Sequence, residues 1–125
     1  MNITLWVLQV LLAAAFFAHG WLFLAPSPEM LELMKSIPKA FRIFLGIAEV
    51  LAAVGLTLPG ITRILPWLVP SAAAGLMIVM VSATILHTTR GEVGAAMTTA
   101  ILFVLLTFVA YMRWKVKPIP PRAVA

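Results

Sequence analysis

The chain has 125 residues, of which 63% are hydrophobic and 10% charged, and its mean hydropathy is +1.10. Average chains carry roughly 25% charged residues, so the composition excludes a soluble domain and predicts a membrane protein with several spans. The net charge of +5 does not indicate nucleic-acid binding, because the basic residues stand at the ends of apolar runs, where they contact lipid head groups.

Four apolar runs are long enough to cross about 30 Å of hydrocarbon as helices. They cover about residues 3–24, 40–58, 67–87 and 94–112. Helices are expected because backbone groups in lipid must find their hydrogen bonds internally. The predicted fold is therefore all-α, an integral membrane four-helix bundle forming a single domain over residues 1–125. Its basic, proline-rich tail is expected over residues 113–125.

The first loop contains a short helix of its own. Ser27 is a suitable N-cap, Pro28 suits the first helical position, and Glu29 favours the positive end of a helix. Four apolar residues then fall on one helical face, namely Met30, Leu33, Met34 and Ile37. The pattern predicts a helix lying in the membrane interface, and a lid over a site between the spans is the alternative.

Four spans place both termini on one side of the membrane. The basic residues expected on that side are Arg63, Arg113, Lys115, Lys117 and Arg122. The opposite side has Lys35, Lys39, Arg42 and Arg90. The positive-inside rule therefore favours cytoplasmic termini by one basic residue. The expected interface anchors on the terminal side are Trp6, Trp67, Trp114, Arg63 and Arg113.

Glu49 lies in the middle of the second apolar run, RIFLGIAEVLAAVG. An ionised carboxylate near the bilayer centre costs at least about 2.5–3.5 kcal/mol, so an unpaired Glu49 is expected to carry a proton. Arg42, Gly46 and Ala53 share its helical face, and small residues permit close helix contact. The stripe should face protein. Glu49 then either binds a neighbouring helix or serves as a proton-carrying or substrate-binding group.

Two histidines are expected on the same half of the bundle as Glu49. His19 lies beyond the middle of the first span, His87 ends the third span, and Arg42 enters the second span from that side. These residues could together form a polar vestibule or a proton relay. For His87 the alternative is an ordinary residue of the membrane interface. No metal site is predicted, because two histidines lack the further ligands that a metal needs.

The third span has two contrasting faces. Ser71, Gly75 and Ser82 share one face and are predicted to be a helix-packing seam. Met80, Thr84 and His87 lie on nearly the opposite face, which either lines a pocket or is ordinary packing. Gln9 in the first span is also expected at a packing seam.

The segment RIFLGIAEVLAAVGLTLPGITRILPWLVPSAAAGLMIVMVSATILHTTRGE resembles the DoxX-like membrane proteins. The shared features are G-x-x-E in the second span, a P-G loop followed by L-P-W-L-x-P, and an H-x-x-R-G-E exit. These motifs are carried here by Gly46, Glu49, Pro59, Leu65, Pro66, Trp67, Leu68, Pro70, His87, Arg90, Gly91 and Glu92. One feature departs from the family: many relatives have a lysine-leucine pair after the glycine that ends the first span, whereas Gly20 is followed by Trp21.

The resemblance implies a small four-span protein of the bacterial plasma membrane. The family is named for a subunit of a quinol-oxidising system, and some relatives are linked to oxidoreductase complexes. The chain has no cysteine and no self-contained catalytic constellation, so catalysis by this chain alone is not expected. The resemblance favours an accessory subunit of a redox or quinone-linked system, with no cofactor of its own beyond a quinone or lipid.

Two other functions remain open from the sequence. One is a small proton-coupled transporter or lipophile-binding bundle that uses Glu49, and the other is a membrane interaction scaffold. The expected partners are the lipid bilayer and either an oxidoreductase or further copies of the chain.

Overall fold

The computed structural model describes residues 2–122, and over them the chain is helical without strands. The helices are α1 (Asn2–Leu24), α2 (Pro28–Leu33), α3 (Lys39–Thr62), α4 (Leu68–Thr89) and α5 (Val93–Tyr111), and a π-helical segment, Met112–Val116, continues α5. Four of these helices, α1, α3, α4 and α5 with its extension, are long and apolar enough to cross a membrane. The predicted all-α membrane bundle is confirmed.

Two helix ends differ from the predicted span ends. α3 continues through Pro59 and Gly60 to Thr62 and ends where Arg63 adopts a left-handed conformation, with φ of 57°. A proline inside a membrane helix is tolerated where neighbouring groups satisfy the backbone carbonyl that it leaves without a donor. The fourth span continues to Val116, beyond the predicted end at about residue 112, and the proline-rich segment follows from Lys117. Residues 123–125 of that tail lie outside the described part.

The four long helices pack in chain order as an incompletely closed ring. α1 packs along α3, α3 along α4 and α4 along α5, while α1 and α5 touch only sparsely. The core contains large buried side chains from every helix of the ring. They include Leu12, Phe16, Leu56, Leu76, Met80, Leu106 and Val109. The sparse α1–α5 contact leaves one side of the bundle less tightly closed than the others.

Hydrogen bonds define the two ends of the bundle. At the terminal end, Arg113 Nη1 donates to Asn2 Oδ1 over 2.7 Å, and the backbone N–H of Arg122 donates to the Arg63 carbonyl over 2.8 Å. At the loop end, Arg90 Nη2 donates to Ser36 Oγ over 3.3 Å, which links the two loops there. Both described chain ends therefore lie with the α3–α4 loop, as four alternating helices require.

α2 begins as predicted and ends early. Ser27 Oγ accepts a hydrogen bond from the Met30 N–H over 3.3 Å, and Pro28 occupies the first turn. The expected apolar face is not continuous, because Met34 is 7% exposed while Leu33 is 74% exposed. Met34, the residue after α2, thus packs into the interior, while Leu33 at the end of the helix stays at the surface.

The backbones of α1 and α3 come into close contact at two glycines. A Cβ atom placed on Gly20 would lie 2.9 Å from the Gly46 carbonyl oxygen, and one on Gly46 would lie 2.9 Å from the Gly20 oxygen. Real Cβ atoms essentially never approach a neighbour so closely, so both positions require glycine. The stripe of Gly46, Glu49 and Ala53 is accordingly buried against protein.

The predicted seam of Ser71, Gly75 and Ser82 is wrong for packing within this chain. Both serines are exposed, and a Cβ on Gly75 would meet nothing within 4 Å. The buried face of α4 instead carries larger apolar residues, including Leu76 and Met80, which remove more apolar surface. The serine hydroxyls bond to carbonyls of their own helix, at 2.9 Å for Ser71 and 3.0 Å for Ser82, so this face needs no partner helix.

The glycine contact generates the first prediction. Gly46→Ala should lower the free energy of unfolding by about 1–3 kcal/mol, because the added methyl group overpacks the α1–α3 contact. Thermal or SDS-induced unfolding in detergent micelles would measure the change. Gly75→Ala is the matched control, and there the open space predicts no loss or a gain of up to about 1 kcal/mol from helix propensity. Equal effects at the two positions would contradict the proposed role of the contact.

Candidate functional site

Glu49 is buried near the middle of α3 and bonded to a histidine of α1. The residue is 1% exposed. His19 Nδ1 lies 2.9 Å from one carboxylate oxygen and 3.1 Å from the other. The Gly20–Gly46 contact brings the two helices close enough for this pair, since His19 precedes Gly20 and Glu49 lies one turn beyond Gly46. The buried acid therefore has a partner, which offsets part of its desolvation cost.

A cavity of about 150 Å³ adjoins the His19–Glu49 pair. Its lining residues come from all four long helices and are Ala15, Phe16, His19, Glu49, Met80 and Leu102. The His19 side chain is 53% exposed while that of Glu49 is 2% exposed. The histidine thus lies between the buried carboxylate and the outside of the bundle, on a cavity whose other walls are apolar.

Arg42 is buried but does not join this pair. Its guanidinium donates to the Phe23 carbonyl, which is one of the last carbonyls of α1 and lacks a partner within that helix. Arg42 is 8% exposed and lies two helical turns, about 10 Å, from Glu49 along α3. Its observed role is to join the end of α1 to the beginning of α3.

His87 also lies apart from Glu49. Its Nδ1 is 2.9 Å from Glu92 Oε1 at the loop end, and both side chains are partly exposed. The structure therefore brings His19 and Glu49 together and does not assemble the four predicted polar residues into one vestibule. Over residues 2–122, no three or more histidine and acidic side chains are grouped as metal ligands.

The predicted pocket face of α4 serves several purposes. Met80 lines the cavity, while Thr84 Oγ1 forms a 2.7 Å hydrogen bond with Thr99 Oγ1 of α5. The sequence offered no signal for this threonine pair, because a threonine that bonds only to its own helix occupies the same kind of position in an apolar run. It stabilises the α4–α5 contact near the cavity rather than lining it.

A second buried polar cluster lies at the terminal end and differs from the sequence expectation. Gln9 is fully buried, donates to the Leu56 carbonyl over 2.7 Å and accepts a 2.7 Å hydrogen bond from Arg113 Nε. Arg113 is 3% exposed, so its assignment as an interface anchor was wrong. It turns inward because Gln9 and Asn2 accept its hydrogen bonds and the Trp6 ring lies 5.5 Å from its guanidinium carbon.

The remaining predicted anchors are at least partly accessible. Trp67 is 55% exposed and Trp114 57% exposed, and Arg63 is also exposed. Trp6 is half-buried beneath Arg113. A signal for the inward turn of Arg113 did exist in the sequence, since Gln9 within an apolar run requires a polar partner.

Comparison with known proteins agrees with the fold of four membrane-spanning helices. The sequence matches the DoxX-like family over residues 7–109, a range that includes both His19 and Glu49. No curated protein and no solved structure matches the chain. The family match covers most of the chain, and the four helices of membrane-spanning length fit a multi-pass membrane protein. The chain therefore belongs to the DoxX-like family.

Proposed function

We propose that this protein is an accessory subunit of a quinone-linked redox system and binds the ring of a quinone-class lipophile beside His19 and Glu49. The observation that carries the proposal is a buried carboxylate, paired with a half-exposed histidine, on an apolar cavity within the spans. Ionisable residues inside a membrane cost free energy, so a pair retained there favours a function. The cavity belongs to the bundle alone, and α2 contributes none of its lining residues.

The size and lining of the cavity fit a single ring. A cavity of about 150 Å³ lined by apolar side chains is large enough for benzene. Phe16, Met80 and Leu102 supply apolar walls of this kind, while His19 supplies a polar atom for a ring oxygen. Fused ring systems such as flavins exceed this volume. The residues present thus fit a small-ringed, membrane-soluble compound.

The histidine suits the hydrogen bonds that such a compound needs. Glu49 contacts His19 Nδ1, and no described residue forms a hydrogen bond with Nε2. A neutral imidazole that donates from Nδ1 accepts at Nε2, and a protonated imidazole donates from both nitrogens. His19 can therefore accept a hydrogen bond from a hydroxyl or donate one to a carbonyl. The bound compound supplies the redox chemistry, and this pair holds or accepts its proton.

The proposal assigns electron transfer to a partner protein. The sequence contains no cysteine and therefore no thiol couple. The role of this chain is to bind and orient the lipophile and to take up a proton at His19. This division of labour is why the proposal is an accessory subunit rather than an oxidoreductase in its own right.

A binding measurement on variants of Glu49 tests the site. Glu49→Gln preserves size but replaces one of the two oxygens that face His19 Nδ1 with an NH2 group, so the dissociation constant for a short-chain benzoquinone should rise about tenfold, or about 1.4 kcal/mol. Quenching of tryptophan fluorescence in lipid nanodiscs would measure binding, since Trp21 lies two residues after His19. Glu32→Gln in the exposed part of α2 is the control and should leave the constant unchanged. Equal binding by wild type and Glu49→Gln would reject the quinone site.

The same pair supports a second function, proton-coupled transport. His19 reaches the outside of the bundle while Glu49 is enclosed, so the two form a short path for a proton. Vesicles with an imposed pH gradient separate the two functions. Faster decay of the gradient with wild type than with Glu49→Gln would favour transport, whereas equal decay together with weakened quinone binding would favour the accessory subunit. If Glu49→Gln changes neither the gradient decay nor quinone binding, the membrane interaction scaffold is favoured.

We also propose that the protein lies in a bacterial plasma membrane with cytoplasmic termini. Two of the basic residues are buried, Arg113 at the terminal end and Arg42 at the loop end. If neither is counted, the terminal end still has one more basic residue than the loop end. A fluorescent protein fused after the tail should therefore fluoresce, and alkaline phosphatase fused there should be inactive. The same reporters inserted in the loop at Gly91 serve as the control and should give the opposite pattern. An active phosphatase at the tail would overturn this orientation.

A further inference from the structure

Arg113 is a buried cation whose hydrogen-bond partners are all uncharged. Nε donates to Gln9 Oε1 over 2.7 Å, and Nη1 donates to Asn2 Oδ1 over 2.7 Å and to the Lys117 carbonyl over 3.0 Å. The Trp6 ring covers one face of the guanidinium. These contacts position the group, but none of them neutralises its charge.

One nitrogen of the same guanidinium has no partner. Within the described part of the chain, Nη2 is buried and forms no hydrogen bond. An arginine is charged at any physiological pH, and a buried donor without an acceptor costs about 1–3 kcal/mol. The two N–H donors of Nη2 are therefore without an acceptor, while Nε and Nη1 are already held in place.

Acidic side chains of this chain do not meet that need. The sequence contains four acidic residues, namely Glu29, Glu32, Glu49 and Glu92. Two belong to the first loop, one to the middle of α3 and one to the turn before α5, so none lies at the terminal end. The terminal end does carry further basic residues, Arg63, Lys115, Lys117 and Arg122. The local field favours an anion, and the chain's own acidic side chains do not provide it.

A cavity of about 340 Å³ adjoins Arg113. It lies between the beginning of α4 and the tail, and its lining residues are Pro66, Trp67, Pro70, Arg113, Trp114, Pro118, Ile119 and Pro121. Prolines have few backbone conformations, so the walls are stiff. The volume is within the range of about 300–1,000 Å³ that small-molecule sites occupy. It exceeds what a bare phosphate ion would fill.

We infer that this cavity binds the phosphate group of an anionic amphiphile, with Arg113 as the cation that recognises it. Nη2 can donate to a phosphate oxygen, and such charge-assisted bonds are stronger than neutral ones. A membrane phospholipid is the favoured source, because the cavity is at one end of the spans and is flanked by the exposed rings of Trp67 and Trp114. The bound phosphate supplies the counter-charge that Arg113 lacks and ties the tail to α4.

The lipid dependence of thermal stability tests this site in the purified full-length protein. Phosphatidylglycerol added to detergent micelles should raise the melting temperature of wild type in a saturable manner, because a ligand that binds only the folded state stabilises it. The apparent dissociation constant should rise about tenfold or more in Arg113→Gln. Arg63→Gln, which removes an exposed charge at the same end, is the matched control and should keep the wild-type constant.

Two further arms identify the source of the phosphate and guard against a misfolded variant. Inorganic phosphate at millimolar concentration should have no effect, and stabilisation by it through Arg113 would assign the site to a free anion. Native mass spectrometry of the wild type, which needs no variant, should show one phosphatidylglycerol retained in preference to phosphatidylcholine. Absence of both retention and stabilisation in the wild type, or equal stabilisation of wild type and Arg113→Gln, would overturn the inference.

Discussion

The close approach of α1 and α3 at Gly20 and Gly46 is the contact on which the rest of the molecule depends. Because neither residue has a Cβ, the two backbones meet, and side chains above and below the contact are brought into register. On one side of it His19 meets Glu49, and farther along Gln9 reaches the Leu56 carbonyl. Both polar clusters therefore depend on one antiparallel helix pair.

The membrane explains why most polar groups of the four spans have a defined partner. In hydrocarbon, a polar atom without a hydrogen bond has no water to replace it. Arg42 accordingly bonds to the Phe23 carbonyl, and the hydroxyls of exposed Ser71 and Ser82 bond to their own helix. The departures from this pattern are informative. His19 retains a ring nitrogen without a described partner, and Arg113 retains Nη2, and each of these residues lines a cavity.

The two cavities have different chemistry, which argues for different ligands. The one at Glu49 is small, and its polar residues are a histidine and an acid, so it suits a neutral ring with an exchangeable proton. The one at Arg113 is larger, cationic and flanked by tryptophans, so it suits a phosphate at the membrane surface. The two sites are linked through α1 and α3, because Gln9 bonds Arg113 to the same helix pair that holds His19 against Glu49.

The sequence alone determined the four spans, the capped helix in the first loop and the burial of Glu49, because these follow from apolar length, local capping and the cost of charge in lipid. Only the tertiary structure decided which polar residues meet. Small residues at helical spacing predicted contact equally for Gly46 and for Gly75, yet only Gly46 packs, since the choice of partner face depends on side chains from several helices. For the same reason Arg113 looked like a surface anchor until Gln9 and Asn2, distant in sequence, were placed beside it.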